Sequence, residues 1–487
     1  MTPQRRLGWL LVVLLTGQFM ANVDVAIVNV AAPSIRDGLH TSGGALELVV
    51  SGYSLAYALL LVTGARLGAT HGHRRLFLFG LTGFTVASLA CGLAPNTAVL
   101  IGARLFQGGA AGLMVPQVLT GIQQRFTGAA RGKALGAYAI ALSGGAVAGQ
   151  VLGGVLVWAN LLGTGWRPIF LINLPIGVAT LLLGLRFLPA DEPGRRRRLD
   201  LPGVAVLSAA LLLVVVPLVF GRDAGWPWWT WVSLVAGAPV LIGFVRLQRR
   251  IAARGGHPLL NLHILGGRAL PWGLASQAAA TGTYYTMLFT LALYLQQGLG
   301  RSPLYSGLAL VSWVAAFGVA GPVLSRLPTE RVPRFAPFGC LLLALAYLAI
   351  GLATATGRGS GALLIVLLGF GGLGLGLAYS SMMRHLTESV PAGYASDFSG
   401  IVVTLFQVAG VLGVAGLGTL YQGLAPVGGL APATRAFTVI TLCFAVIAVF
   451  GVVSALLSTR RGRGGSTEVR HHVTAEEDAG QPEEQHA

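Results

Sequence analysis

LGWLLVVLLTGQFMANVDVAIVNVAAP, residues 7–33, sets the reading of the whole chain. A helix needs about 20 mainly apolar residues to cross the hydrocarbon core of a bilayer. This run exceeds that length with one ionisable side chain, Asp24. It follows Arg5 and Arg6 and is too long for the core of a signal peptide, so it reads as a retained first helix. The pattern recurs near 45–69, 75–94, 97–124, 133–158 and 166–189, then near 201–220 and 228–247. Six more runs follow near 269–297, 303–327, 335–355, 360–383, 395–423 and 434–457. Proline, glycine and charge separate them, as at Pro95-Asn96, Gly221-Arg222-Asp223 and Ser302-Pro303, which are chain-breaking signals. The expectation is an all-α integral membrane protein with fourteen transmembrane helices.

Composition points the same way. Of 487 residues, 54% are hydrophobic and 10% charged, and the mean hydropathy is +0.73; soluble domains carry roughly a quarter charged residues. Seventy glycines fit helices that approach closely in lipid. Cys91, Cys340 and Cys443 lie far apart inside apolar runs, which suggests neither a disulfide framework nor a metal site. No paired acids, metal cluster or nucleophile–base arrangement at bilayer depth suggests an enzyme, and no cofactor is expected. The net charge of +17 does not imply nucleic acid, because the basic residues fall mainly in alternate loops.

That alternation gives a topology. One set of loops holds Arg5 and Arg6; Arg66, Arg74 and Arg75; Arg125, Arg131 and Lys133; Arg195–Arg198; and Arg246, Arg249, Arg250, Arg254 and Arg268. It continues with Arg326, Arg331 and Arg334; Arg384; and Arg460, Arg461, Arg463 and Arg470. The other set holds only Arg36, Arg167, Arg222, Arg301, Arg358 and Arg435. The positive-inside rule then puts both termini in the cytoplasm. Lys133 is the only lysine, the usage of a GC-rich bacterial genome, so the expected location is a bacterial plasma (inner) membrane.

Residues 1–189 and 269–457 then form two six-helix halves, and 190–268 hold a basic linker and an extra transmembrane hairpin. Two such halves around a midplane cavity make a transporter architecture. The arginine run in the linker suits a position beside anionic membrane lipid. Residues 458–487 turn Gly/Ser-rich and then acidic, with Glu476, Glu477, Asp478, Glu483 and Glu484; lacking apolar residues to bury, they are expected to be disordered.

Charge inside a bilayer is costly, by roughly 2.5–3.5 kcal/mol on insertion scales, so buried ionisable residues are functional candidates. Asp24 reads as the only acid well inside a span, and Arg104 as the only basic residue comparably deep. The pair reads either as a site that loads and releases a proton as access changes, or as a static ion pair that fixes helix packing. Gln18, Asn22 and Asn29 share one face of the first helix, with Asp24 pointing well away. Gln277, Thr281 and Tyr284, with Tyr285 beside them, share a face of the ninth. Such residues line a cavity or make interhelical hydrogen bonds; Ser51, Tyr53, Ser54 and Tyr57 offer the same choice in the second helix. Gly136, Gly145, Gly149, Gly153 and Gly154 give the fifth helix a flat surface for close packing or sliding.

These residues resemble the drug:proton antiporter branch of the major facilitator superfamily with fourteen spans, over essentially Leu7–Leu457. DVAIVNVAAP resembles its first-helix signature, with Asp24, Asn29 and Pro33 in place. RLFQGGAAG is similar to its fourth-helix motif, which implies a proton-coupling role for Arg104, with Gln107 and Gly108 beside it and Gln107 in the substrate cavity. The glycines of the fifth helix resemble the antiporter motif. WRPIFLINLPIG resembles the entrance to the sixth span, through Trp166, Arg167, Phe170, Asn173, Pro175 and Gly177. GARLGATHGHRR resembles the cytoplasmic gating motif through Gly64, Arg66, Gly68, Gly72, Arg74 and Arg75. Three positions depart: the gating motif's acid is Ala69, the antiporter motif's proline is Gln150, and an arginine of span thirteen is Phe406, before Gln407.

The resemblance implies a proton-coupled exporter of small amphipathic compounds, drugs or antibiotics, working by alternating access as a monomer. Its partners would be a small-molecule substrate, protons and membrane lipid, with no metal and no nucleic acid. The sparse acids suit neutral or monocationic cargo. Two other readings stay open: the same fold exporting an endogenous metabolite or amino acid, and a non-transporting membrane receptor or scaffold.

Overall fold

The computed structural model describes residues 3–191, 200–221, 224–256, 258–259, 269–390, 395–425 and 429–460. The arginine run Arg195–Arg198 and the acidic tail lie outside these residues. Six helices make the first half: α1 (Pro3–Leu39), α2 (Gly43–His71), α3 (His73–Gly92), α4 (Thr97–Arg125), α5 (Gly128–Ala159) and α6 (Asn173–Phe187), the last preceded by a turn at Pro168–Leu171. The hairpin is α7 (Leu201–Phe220) and α8 (Trp228–Ala253). The second half is α9 (Ala269–Leu293), α10 (Pro303–Ser325), α11 (Phe335–Ala355), α12 (Ala362–Glu388), α13 (Ala395–Gly413) and α14 (Leu430–Thr459). A π-helical turn extends α9 through Tyr294–Gly298, and another, Val414–Gly418, joins α13 to the short helix Thr419–Leu424.

Sequence chemistry sets the helix starts. Ser42, Asn96 and Ser302 accept from the backbone N–H groups of Ala45, Val99 and Tyr305, and Asp200 accepts from Gly203 at 2.8 Å; each caps otherwise unpaired amides. Among the described residues, thirteen helical segments are long and apolar enough to cross a membrane. The remaining long helix, α9, carries Ser276, Gln277, Thr281, Thr283, Thr286 and Thr290, all buried. It lies between α13 and α14 and also touches α1, so its polar groups face protein rather than lipid. Outward, Phe79, Ile140, Val235 and Val446 are exposed, as a lipid-facing surface requires.

Within the first half α1 packs on α5 and α2 on α4; within the second α10 packs on α12 and α11 on α14. The halves meet along α5–α10, α2–α13 and α1–α9. The hairpin lies over one of these seams. Leu207, Leu211, Val215 and Val219 of α7 share an apolar cluster with Leu55 of α2 and with Val411 and Ala415 of the second half.

Glycine makes two of the closest seams. A Cβ at Gly149 would fall 2.6 Å from both Ala26 Cβ and the Val23 carbonyl of α1, and one at Gly108 would fall 2.1 Å from the Tyr53 carbonyl of α2. Gly145 and Gly153 continue the α1–α5 seam, whereas Gly154 faces the Pro303 carbonyl of α10 in the other half. Gly136 has nothing nearby and takes no part.

Candidate functional site

The deepest charges meet. Asp24, in mid-α1, and Arg104, two turns into α4, are 0% and 1% exposed, and an Arg104 Nη1 donates to Asp24 Oδ2. The same nitrogen donates to Gln107 Oε1 at 2.7 Å, and Arg104 Nε donates to the Val49 carbonyl at 3.0 Å. The guanidinium lies 4.6 Å from the Tyr53 ring centre and 5.7 Å from that of Phe170, which gives its apolar faces cation–π partners.

Gln107, three residues and one turn along α4, closes the arrangement. Its Nε2 donates to Asp24 Oδ1 at 2.7 Å and to Ser88 Oγ at 2.8 Å. Asn173, at the start of α6, donates to Asp24 Oδ1 at 3.3 Å and to Ser88 Oγ at 3.2 Å. The Ser88 hydroxyl donates to the Phe84 carbonyl at 2.9 Å. Three helices, α1, α4 and α6, thus meet at one carboxylate, and three side chains donate to it.

Several expected site residues sit elsewhere. Gln107, expected in the substrate cavity, is 0% exposed in this conformation, with its amide engaged by Asp24, Arg104 and Ser88. Asn22 and Asn29 turn back on α1, donating to the Gln18 and Val25 carbonyls, and Asn22 lies beside Gly145 of α5. Gln277 donates to the Ala378 carbonyl of α12 at 3.0 Å, and Thr281 is buried. Tyr284 stacks on Trp313 with ring centres 6.1 Å apart, and lies 5.4 Å from Tyr285. The amide oxygens of Gln18, Asn29, Gln277 and Gln407 make no hydrogen bond, nor does either polar atom of the fully buried Gln150. Phe406 rests on Tyr379, centres 5.7 Å apart.

The glycine- and arginine-rich segment between α2 and α3 folds into a tight corner. Gly72 has φ +104°, a left-handed conformation that favours glycine. The Asp191 carboxylate occupies the space a Cβ would need there, 2.2 Å away. It accepts from the Arg74 and Arg75 backbone N–H groups at 2.7 and 3.1 Å. Arg74 Nη2 donates to the Leu185 carbonyl, and Arg66 donates to that of Pro258, beyond the hairpin. Gly64 and Gly68 abut the Gly112 carbonyl and the Gln117 side chain of α4. The Ala69 side chain lies outside the described residues.

Sequence reasoning missed Ser88, Asp191 and Glu47. Asp24 is not alone: Glu47, one turn into α2, is 0% exposed. It escaped notice because it stands only a few residues from a loop, where a carboxylate is ordinarily solvated. An isolated acid just inside an apolar run was the available signal.

Every described hydrogen bond between the halves lies at the end of the bundle that carries the α1–α2 loop. Arg36 donates to Gln297 at 3.3 Å, Gln296 to the Val30 carbonyl at 2.8 Å, and Gln422 to Glu47 Oε1 at 2.6 Å and the Gly43 carbonyl at 3.2 Å. Thr419 Oγ1 lies 2.8 Å from Glu47 Oε2. Two packed six-helix halves, with a charge pair buried in one and a seam fastened at one end, define a multi-pass membrane transporter.

Residues 14–414 match the Major Facilitator Superfamily, and the chain belongs to that family. It is 38% identical over 426 residues to a probable actinorhodin transporter of Streptomyces coelicolor, covering 87% of this chain and 74% of the relative. It is 34% identical over 428 residues to a puromycin resistance protein of Streptomyces alboniger, covering 86% and 83%. A tetracenomycin C resistance and export protein of Streptomyces glaucescens is 31% identical over 408 residues, covering 83% and 74%. Among solved structures, the fold is similar to a bacterial homolog of the human lysosomal transporter Spinster, with a TM-score of 0.68 at 15% identity, over 95% of this chain and 98% of the other. A peptide transporter gives a TM-score of 0.65 at 14% identity, over 93% and 95%.

Proposed function

We propose that the protein is a proton-coupled exporter of small amphipathic compounds, antibiotics among them, in a bacterial plasma membrane with both termini cytoplasmic. The observation that carries the coupling is the Asp24 carboxylate, held by Arg104, Gln107 and Asn173 from two other helices. If these helices shift as the halves rock, the donors withdraw and the carboxylate meets a proton. A ligand moves an equilibrium only through differential affinity for its states, and a carboxylate with donors present in one state and absent in the other supplies it. On the expected topology the fastened end faces outside, so the conformation described is closed outward.

Cargo would bind between the halves, against the Tyr284–Trp313 stack and the polar groups of Gln18, Asn29 and Gln277. The transport and resistance roles that the relatives are named for support export of antibiotics. A susceptibility panel on cells with and without the protein, paired with uptake into everted vesicles under an imposed proton gradient, tests the reading. Unchanged susceptibility to every compound and no gradient-driven uptake would reject it.

A further inference from the structure

The hairpin helix α8 stands at the edge of the bundle, packed on α7. Its outward side carries Trp228, Trp231, Val232, Val235 and Ile242, all exposed. Arg246, Arg249, Arg250 and Arg254 follow, and they are exposed as well. Helical spacing puts the two groups on one side. Arg246, Arg250 and Arg254 succeed one another at i, i+4 and i+8, Arg249 is i+3 from Arg246, and Ile242 precedes Arg246 by one turn, spacings that share a helix face. The depth is right for a bilayer. At 1.5 Å per residue, Trp228 and Arg249 are about 30 Å apart along the axis, which is the thickness of the hydrocarbon core. With the tryptophans at one interface, the arginines reach the phosphate level of the other.

The base of the hairpin fixes this orientation. Gln248, 1% exposed, turns inward and donates to Asp200 Oδ2 at 2.8 Å. Asp200 also accepts from the Gly203 and Leu259 backbone N–H groups, at 2.8 and 3.0 Å. The rotation that points Gln248 at Asp200 points the arginines away from the protein. Neither α7 nor α8 contains an acid. Over residues 190–268 the sequence holds ten arginines against four acids, Asp191, Glu192, Asp200 and Asp223, so the excess of positive charge stands wherever every linker residue lies. Like charges one turn apart on a helix repel, and an anion shared between them relieves that repulsion. The planar guanidinium fork suits phosphate oxygens in particular.

We propose that this face of α8 binds an anionic phospholipid of the leaflet at that end, cytoplasmic on the expected topology. Its phosphate sits among Arg246, Arg249 and Arg250, and its acyl chains run along Ile242 and Val235. The continuity of the two surfaces favours a lipid over other anions. A free phosphate would answer the arginines and leave the apolar stripe uncovered. The acidic residues of the tail, among them Glu476, Glu477 and Asp478, would do the same. The site lies on the inserted hairpin, away from the Asp24 cluster, and it stands apart from the exporter reading because it needs neither cargo nor a proton gradient.

The test titrates full-length protein in detergent with phosphatidylglycerol or phosphatidylcholine and counts bound lipid by native mass spectrometry. The first phosphatidylglycerol should bind more tightly than the first phosphatidylcholine. The triple variant Arg246→Gln/Arg249→Gln/Arg250→Gln should lose about fivefold of that preference for each arginine removed. Arg131→Gln/Arg326→Gln/Arg334→Gln neutralises three other exposed arginines at the same end of the bundle and should keep the preference. No preference in the unaltered protein, a preference kept by the α8 variant, or an equal loss in both variants overturns the proposal. Inorganic phosphate that displaces the lipid at matched concentration would reduce the site to one for any anion. A preference that emerges only in Glu476→Gln/Glu477→Gln/Asp478→Asn would give the face to the acidic tail. Either of these results overturns it too.

Discussion

The Gln107 side-chain amide bridges the buried ion pair: its Nε2 donates to Asp24 Oδ1 at 2.7 Å while its Oε1 accepts from Arg104 Nη1 at 2.7 Å. One amide thus reads both charges, and its two ends cannot be exchanged without placing donor against donor. The cluster is fully connected, so a change at one member alters what the others face.

Asp24→Asn should abolish proton-driven export, because an amide cannot take up and release the proton. It also leaves the Arg104 charge without its counter-ion, which costs about 3–5 kcal/mol in buried pairs. Insertion should survive, since the apolar spans drive it. Uphill transport at the normal rate in everted vesicles would remove Asp24 from the coupling role.

Arg104→Lys keeps the charge and should still fail. One ammonium on a flexible stem cannot reproduce the planar fork that reaches Asp24, Gln107 and the Val49 carbonyl together. An abandoned buried acceptor costs about 1–3 kcal/mol. Expected are a lowered thermal midpoint in detergent and lost gradient-driven uptake; full uptake would show that charge alone suffices.

Gly149→Leu and Gly136→Ala form a matched pair in α5. The first forces atoms into a seam where even a Cβ meets Ala26 and Val23 at 2.6 Å; overpacking of this kind costs about 1–3 kcal/mol. The second enters open space and should stabilise the helix by about 1 kcal/mol. Thermal unfolding of both variants checks the sign of each effect.

Gly72→Ala should destabilise more than Asp191→Ala. The alanine must adopt φ +104°, a strain of about 1–3 kcal/mol, and must also displace the Asp191 carboxylate. Asp191→Ala removes only a cap, worth about 1 kcal/mol. Hydrogen exchange at the Arg74 and Arg75 amides should quicken in both; unchanged protection would mean that Asp191 does not cap α3.

The all-helical membrane fold was legible from sequence because the length of an apolar run and the placement of arginine are properties of contiguous residues. Asp24 and Arg104 stood out for the same reason: each is a lone charge in a long apolar run. The tertiary structure decided which residues share a site. Gln107 read as cavity lining, yet the rotation of α4 turns it onto Asp24. Ser88 and Asn173 join only because α3 and α6 pack there. Glu47 looked like a loop-proximal acid until the short helix Thr419–Leu424 brought Thr419 and Gln422 against it from the other half. Such contacts depend on helix rotation and on how two halves of one chain meet, and no local pattern encodes either.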